Sequence, residues 1–468
     1  MKRALIISYY WPPTGGSGVQ RWVKFAKYLP SEGWQPVIYT PENPEQLAVD
    51  ESLAAEVPSE TEIIKTRIME PYGMYKKVLR RSGHSKEAVE VNPVNAQNKS
   101  FLQKAAMWVR GNFFRPDPRC LWIRPSVRFL KKYLKEHPVD LIVSTGPPQS
   151  MHMIGLKLAR ETGLPWIADF RDPWTKIFSF KHLSMTRATQ RWHEKMEKCV
   201  LDKASCVVAV SPLVQQEFQA MTQTPVELIT NGFDECDFHE EPFAMATGGV
   251  GRPFTITHTG LFAADGNPTV LWSVLAEKCA TCPEFKNLLR INLIGKTDEQ
   301  ILKAVSDAGL NDNLVDMGYQ PHARAVDEQR KASLLILPLR KEPEYKAVLP
   351  GKLFEYLASY RPVLGIGQPD GAMAMILNET KTGVVYDWED RESVAKYIDE
   401  CWEKHLEGCL RIEGDDISRF TRRNLTRRMA QLFEEKQILQ LPQPLRVVAN
   451  TLFFLQNAFQ QNQDLELI

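Results

Sequence analysis

Residues 1–40 read MKRALIISYYWPPTGGSGVQRWVKFAKYLPSEGWQPVIYT. Positions 4–7 form an uninterrupted apolar run of strand length, suited to a strand covered on both faces. Pro12-Pro13-Thr14-Gly15-Gly16-Ser17-Gly18 ends it. Beyond that break Val19, Trp22, Val23, Ala26 and Leu29 recur at helical spacing, and 36–39 is apolar again. Strand, glycine loop, helix, strand is a βαβ unit, and such units build parallel sheets.

The alternation continues outward. Strands are predicted over 141–144, 166–168, 207–210 and 227–230, with helices from 150, over roughly 186–203 and from 212. Residues 239–253 hold Gly248, Gly249, Gly251 and two prolines with little apolar content, the composition of a linker. The pattern then restarts, with strands over 254–258, 291–294, near 315, 334–337 and 363–366 and helices over 268–281, 298–308 and 352–359. The prediction is an α/β chain of two doubly wound, Rossmann-like domains whose parallel sheets face each other across a cleft. The boundaries read as 1–245, with an insert over 75–136, then 252–410, then C-terminal helices over 411–468, the first packing back on the N-terminal domain. In such sheets ligands bind beyond the carboxyl ends of the strands.

The chain has 468 residues, 43% hydrophobic and 25% charged, with net charge +1. It is long enough for two or three domains with large cores, and the balance of charge points to no nucleic-acid partner. The eight cysteines are scattered, and Cys279-x-x-Cys282 has no second pair at zinc-ribbon spacing. The N-terminal apolar run is too short for a signal peptide, and no stretch reaches the ~18 apolar residues of a spanning helix. These readings predict a cytoplasmic protein. Charge is nevertheless uneven. Residues 75–136 hold 15 Lys or Arg against 4 Asp or Glu, net +11 in a chain of +1, leaving −10 for the rest. The same segment is aromatic, with Trp108, Phe113 and Phe114 beside Arg110 and Arg115.

Four motifs carry chemistry. Gly15, Gly16 and Gly18 open a helix, where backbone amides approach an anion, although a mere tight turn reads the same way. It is neither a dinucleotide fingerprint nor a P-loop. Thr145-Gly146-Pro147-Pro148-Gln149-Ser150-Met151-His152 follows a strand and opens a helix, and the next strand ends in Asp169-Phe170-Arg171-Asp172-Pro173-Trp174. His152, Asp169, Arg171 and Asp172 therefore converge at adjacent strand ends. Arg171 between the two acids opposes a cation, so no catalytic metal is expected. In Pro350-Gly351-Lys352-Leu353-Phe354-Glu355, the cation Lys352 sits in a first helical turn, against the macrodipole unless an anion lies between. Glu355 is one turn on, placed to accept a ribose's hydroxyls, or to make an ordinary ion pair with Lys352. Asn231-Gly232-Phe233-Asp234 reads as a turn with positive φ.

Together the Tyr10-Trp11-Pro12-Pro13-x-Gly15-Gly16 loop, the 168–174 stretch, the 229–234 turn and the Lys352-Leu353-Phe354-Glu355-Tyr356-Leu357 helix start resemble the family 4 glycosyltransferases of the GT-B fold. Most of residues 1–435 is covered, with likeness to the branch common in Bacteroidetes surface-polysaccharide clusters. The resemblance implies retaining, metal-independent transfer from a nucleotide-sugar donor to a glycan or lipid-linked glycan, with no cofactor. By position, Lys352, with Gly351 and Leu353 at the helix start, would neutralise the diphosphate, and Glu355 would bind the ribose. Gly295 and Lys296 would lie at the donor, and Tyr319 beside the base. Gly15, Gly16 and Gly18 would approach the donor phosphate from the opposite domain. His152 and 169–172 would line the acceptor side. Two departures stand out. The family often has a glutamate eight residues before the second one, and here that position is Ala347. Many members carry a basic residue after the first strand of the second domain, and the loop 260–266 has none, which leaves Lys296 or Lys346 to help Lys352. The basic insert suggests peripheral docking on the anionic inner-membrane surface. A sugar-nucleotide epimerase or a catalytically silent GT-B scaffold is the alternative reading.

Overall fold

The computed structural model describes residues 1–45, 49–50, 52–70, 101–238, 248–412 and 414–439. The chain divides into two compact units. One comprises Met1–Val210, Val214–Ile229 and the segment that begins at Thr426. The other comprises Ser211–Leu213 and Thr230–Leu425. The linker predicted over 239–253 falls largely outside the described residues.

The first unit holds a seven-stranded, all-parallel sheet. Its strands are β1 Lys2–Ile7, β2 Trp34–Pro41, β3 Glu62–Thr66, β4 Leu141–Gly146, β5 Trp166–Phe170, β6 Cys206–Ala209 and β7 Val226–Leu228, in the order β3-β2-β1-β4-β5-β6-β7. The chain leaves β1 outward through β2 to β3, then returns to the other side of β1 at β4, so the order reverses between β1 and β4. Every residue of β4 and β5 is buried, as expected of central strands covered by helices on both faces.

The predicted insert is partly a structural element. Helix Cys120–Glu136 is the crossover into β4, and it buries Trp122, Ile123, Val127 and Leu130 although Pro125 lies in its second turn. The Trp122 ring stacks on Tyr39 of β2 at 4.9 Å, and its indole N–H donates to Thr66 of β3. Residues 120–136, the last part of the insert read over 75–136, thus pack on the sheet of the first unit. Helix Arg422–Ile438 closes the unit from Thr426 onward, burying Met429, Leu432 and Phe433, the last edge-on to Trp34 at 5.1 Å.

The second unit holds a six-stranded, all-parallel sheet: β8 Phe254–Thr259, β9 Leu289–Ile294, β10 Leu314–Gly318, β11 Leu334–Pro338, β12 Val363–Ile366 and β13 Gly383–Tyr386, in the order β10-β9-β8-β11-β12-β13. Here the order reverses between β8 and β11. Phe254, Ile256, Leu271, Trp272, Leu334 and Ile336 are buried in one core on this sheet, and Leu335, Leu337, Leu353, Phe354 and Leu357 in another. Both units are doubly wound, as the sequence predicts.

Gly232 departs from its expected role. Its φ is not positive. A β-carbon there would collide with the Phe420 carbonyl, because Phe233 N–H donates to Phe420 O at 3.1 Å and Arg422 N–H donates to Phe233 O at 2.7 Å. Close backbone approach, not turn conformation, requires glycine here.

Candidate functional site

At the carboxyl edge of the second sheet, three neighbouring strands run straight into a glycine held at positive φ: Gly260 after β8 (φ 92°), Gly295 after β9 (φ 119°) and Gly318 at the end of β10 (φ 59°). Their backbones interlock. Gly260 N–H donates to Ile294 O at 2.5 Å, Gly295 N–H to Gly318 O at 2.7 Å, and Phe262 N–H to Lys296 O at 2.9 Å. A β-carbon on Gly295 would lie 2.7 Å from the Gly260 carbonyl carbon, so this edge is flat backbone without side chains in the way.

Onto that edge comes helix Gly351–Ala358, which follows β11 across the switch point. Its N-cap residue is Pro350, with no side-chain cap and no acidic residue in the first turn. Lys352 folds back over Gly260, where a β-carbon would overlap its Cε and Nζ. The ammonium is largely buried, and burial lowers its pKa while Glu355 opposes the shift. Among the described residues it has no hydrogen bond and no ion pair within 4.0 Å, so the ordinary Lys352–Glu355 ion pair is not formed. Glu355 instead accepts from Gln329 Nε2 at 3.0 Å. Gln329, fully buried on helix His322–Lys331, also donates to Thr259 Oγ1 at 3.1 Å, and Thr259 N–H donates to the Tyr356 hydroxyl at 3.0 Å. The carboxylate is thus held on one side and open on the other. His258, fully buried and stacked on Phe262 at 4.2 Å, is kept neutral by burial and by the Lys352 charge. Leu353 is buried beneath the helix and serves packing. Lys296 and Tyr319 (85% exposed) stand at the ends of β9 and β10. Lys346 is paired with Asp370. Arg340, Gln329 and His258 are members of this edge that sequence reading missed.

At the first sheet the structure brings the predicted residues together but gives most of them structural tasks. Asp169 is fully buried and accepts from Arg21 at 2.9 Å, Trp22 Nε1 at 2.8 Å and Thr145 Oγ1 at 2.9 Å. Arg21 also donates to Ile229 O at 2.8 Å. With its lone pairs occupied, Asp169 cannot line an acceptor surface, a correction to its predicted role. Burial raises its pKa, but Arg21 and these donors outweigh that and lower it overall. Arg171 donates to Gly18 O at 2.6 Å and to Pro147 O, stapling the glycine loop to the β4 loop. Gly18 is glycine because a β-carbon would lie 2.5 Å from that guanidinium. Arg171 is therefore also a structural residue.

His152 is fully buried, stacked on Phe170 at 4.2 Å, with burial pushing its pKa down to about 3. Trp166 Nε1 donates to Ser144 Oγ at 2.9 Å, and Ser144 Oγ lies 2.9 Å from His152 Nδ1. The Ser144 hydroxyl can accept from both the indole and Nδ1, so the Ser144–His152 bond is compatible with either tautomer, and His152 Nε2 is buried without a partner among the described residues. The N-terminus of helix Ser150–Thr162 is already capped by Asp117, which accepts from Ser150 N at 2.7 Å and Ser150 Oγ at 2.9 Å. Asp172 is half-buried, its carboxyl pushed up to about 6 by burial, against the Arg171 charge. Gly16 (φ 107°) caps helix Ser17–Tyr28, which has no side-chain cap and no acidic residue in its first turn. Gly15 packs against Asp50, 2.9 Å from the position of a β-carbon. These features suit an anion at this helix end.

Of the basic insert, helix Phe101–Phe113 is held to the unit by Asn112, which donates to Ser184 O at 2.9 Å and accepts from Thr186 N–H and Thr189 Oγ1 at 2.8 Å. Its outer side exposes Trp108 (45%), Val109 and Phe113 (66%), and Arg115 stacks on Trp192 at 5.2 Å. Lys76, Lys77, Arg80 and Arg81 lie outside the described residues. No helix among the described residues is long and apolar enough to cross a membrane.

Two family models match the chain: Glycosyltransferase Family 4 over residues 16–235 and Glycosyl transferases group 1 over residues 256–404. No curated protein sequence matches. Among solved structures the chain is similar to sucrose-phosphate synthase from Thermosynechococcus elongatus (15% identity, TM-score 0.56, covering 92% of this chain and 98% of that one). It is also similar to WaaG, a glycosyltransferase involved in lipopolysaccharide biosynthesis (12%, 0.52, 92% and 99%), and to the trehalose-6-phosphate synthase OtsA (10%, 0.57, 94% and 100%). At these identities the likeness is one of fold.

Proposed function

Because the chain belongs to the family 4 glycosyltransferases of the GT-B fold, we propose that it moves a sugar, with retention and without a metal, from a nucleotide-sugar donor to a glycan or lipid-linked glycan in surface polysaccharide synthesis. The observation that carries this reading is Lys352, a largely buried ammonium without a partner among the described residues, one turn before a carboxylate open on one side. A buried cation costs free energy unless an anion meets it. A diphosphate supplies that anion, and a ribose supplies hydroxyls for Glu355.

In the reaction the bond from the anomeric carbon to the diphosphate oxygen breaks, and a bond to the acceptor oxygen forms. The acceptor proton passes to the departing phosphate oxygen. Lys352 and the N-terminal amides of its helix stabilise the charge that develops there. His152, held neutral and with Nε2 unpartnered among the described residues, and Asp172 are the acceptor-side candidates. The metal-free reading draws support from Asp169, whose oxygens are taken by protein donors, and from Arg171 beside it.

A calorimetric titration with UDP, GDP and ADP tests the donor site. One nucleotide is expected to bind, and Lys352→Ala and Glu355→Ala each to weaken it roughly tenfold, about 1.4 kcal/mol. Binding of none of the three overturns the reading in favour of a silent scaffold, and donor turnover without an acceptor favours an epimerase. We also propose docking of the Trp108–Phe113 face on an anionic bilayer. Equal sedimentation with neutral and anionic vesicles refutes it.

A further inference from the structure

We infer that Arg340 is a second phosphate-binding cation of the donor site, held by Asp265 until a diphosphate displaces that carboxylate; the inference rests on the donor-site reading above. Arg340 is the second residue past β11, and the backbone before it is fixed. Leu339 N–H donates to Ile366 O at 2.8 Å, and Leu339 O accepts from Trp388 Nε1 at 3.1 Å. From there the guanidinium reaches to 2.8 Å from Asp265 Oδ2 and lies over the Tyr345 ring at 5.2 Å.

Asp265 belongs to the loop 260–266, and that loop also begins at Gly260, beneath Lys352. Two cations from the β11 side of the switch point therefore meet the one loop that leaves β8, Lys352 at its start and Arg340 near its end. The loop itself carries no basic residue. A nucleoside diphosphate bears more than one negative charge, which one ammonium does not neutralise. A guanidinium fork matches phosphate oxygens in a way an ammonium does not. Of the other cations, Lys296 stands exposed at the end of β9, and Lys346 pairs with Asp370, a residue outside the loop that leaves β8. Arg340 keeps 23% of its side chain exposed, so its partner can be exchanged without unpacking the fold. Asp265, a like charge to the arriving diphosphate, leaves Arg340 as phosphate takes its place.

The two partners of the ion pair then have opposite effects on binding, which a structural bridge would not give. Calorimetric titration with UDP and UMP, GDP and GMP, and ADP and AMP first identifies the diphosphate that the wild type binds. Arg340→Ala is expected to weaken that diphosphate about tenfold while moving its monophosphate far less, and Arg340→Lys to restore part of the loss. Asp265→Asn removes the competitor and is expected to tighten the diphosphate about three- to fivefold, the scale of a partly exposed ion pair. Diphosphate affinity unchanged in Arg340→Ala, or weakened in Asp265→Asn as much as in Arg340→Ala, overturns the inference while leaving the donor site standing. Loss of nucleotide binding in the wild type itself overturns the donor-site reading instead.

Discussion

The Lys352 side chain passes directly over the α-carbon of Gly260, in the space a β-carbon would fill. The glycine at the end of β8 is therefore a condition for the lysine to reach the carboxyl edge of the sheet.

Gly260→Ala tests that dependence. Its φ of 92° strains any other residue, and the methyl would displace Lys352. We expect nucleotide affinity to fall about tenfold and the melting temperature to drop by a few degrees, since a strained non-glycine residue costs on the order of 1–2 kcal/mol. Gly309→Ala, where a φ of 76° imposes the same kind of strain but a β-carbon meets nothing, is the control and should bind normally. Equal effects in both variants would refute the argument.

Gln329 orients Glu355. Replacing it by methionine removes the donor at 3.0 Å and frees the carboxylate to rotate. We expect nucleoside affinity to fall about fivefold, about 1 kcal/mol, the net scale of a single hydrogen bond. Phosphate-only competitors such as pyrophosphate should bind as before. A fall shared equally by pyrophosphate would instead show collapse of the whole edge.

The alternation of apolar runs with helical patterns made the fold legible. The predicted strand at 363–366 coincides with β12, and that at 334–337 with β11 less its terminal proline. The strand β3, Glu62–Thr66, went unread because edge position lets polar residues alternate through it. Helix Cys120–Glu136 was hidden by Pro125 and by its exposed cations. The candidate site was legible where one turn of helix determines geometry, as at Lys352 and Glu355. It was not legible at Asp169. Whether that carboxylate faces solvent depends on Arg21 and Trp22, almost 150 residues away in sequence, and no local pattern records the contact.

Asp169 should accordingly behave as a stability residue. Asp169→Ala takes from the buried Arg21 its carboxylate partner at 2.9 Å, and breaking a buried ion pair from one side costs about 3–5 kcal/mol. The first unit should lose cooperative unfolding or melt well below the wild type. In Arg21→Ala/Asp169→Ala part of that loss should return, because no charge is stranded. Normal stability in Asp169→Ala with lost transfer activity would restore the acceptor-side role.

His152 makes stability depend on pH with a definite sign. Its folded pKa is about 3, against 6.5 when unfolded, and burial is the leading cause. Folded and unfolded chains bind protons alike above pH 6.5, and the unfolded chain binds one more as pH falls through 6.5. Stability from this group is therefore complete above 6.5 and lost progressively down to about 3, by about 2 kcal/mol at pH 5. Asp172, raised to about 6 in the fold, acts in the opposite sense between 6 and its unfolded value of 3.8. Subtracting a His152→Gln denaturation series from the wild-type series cancels Asp172 and isolates the histidine. The wild type should lose more stability than the variant between pH 7 and pH 5, and the His152 ring resonances should not titrate over that range. If they titrate near 6.5, the imidazole is not held neutral in the fold, and a proton-transferring role for His152 takes its place.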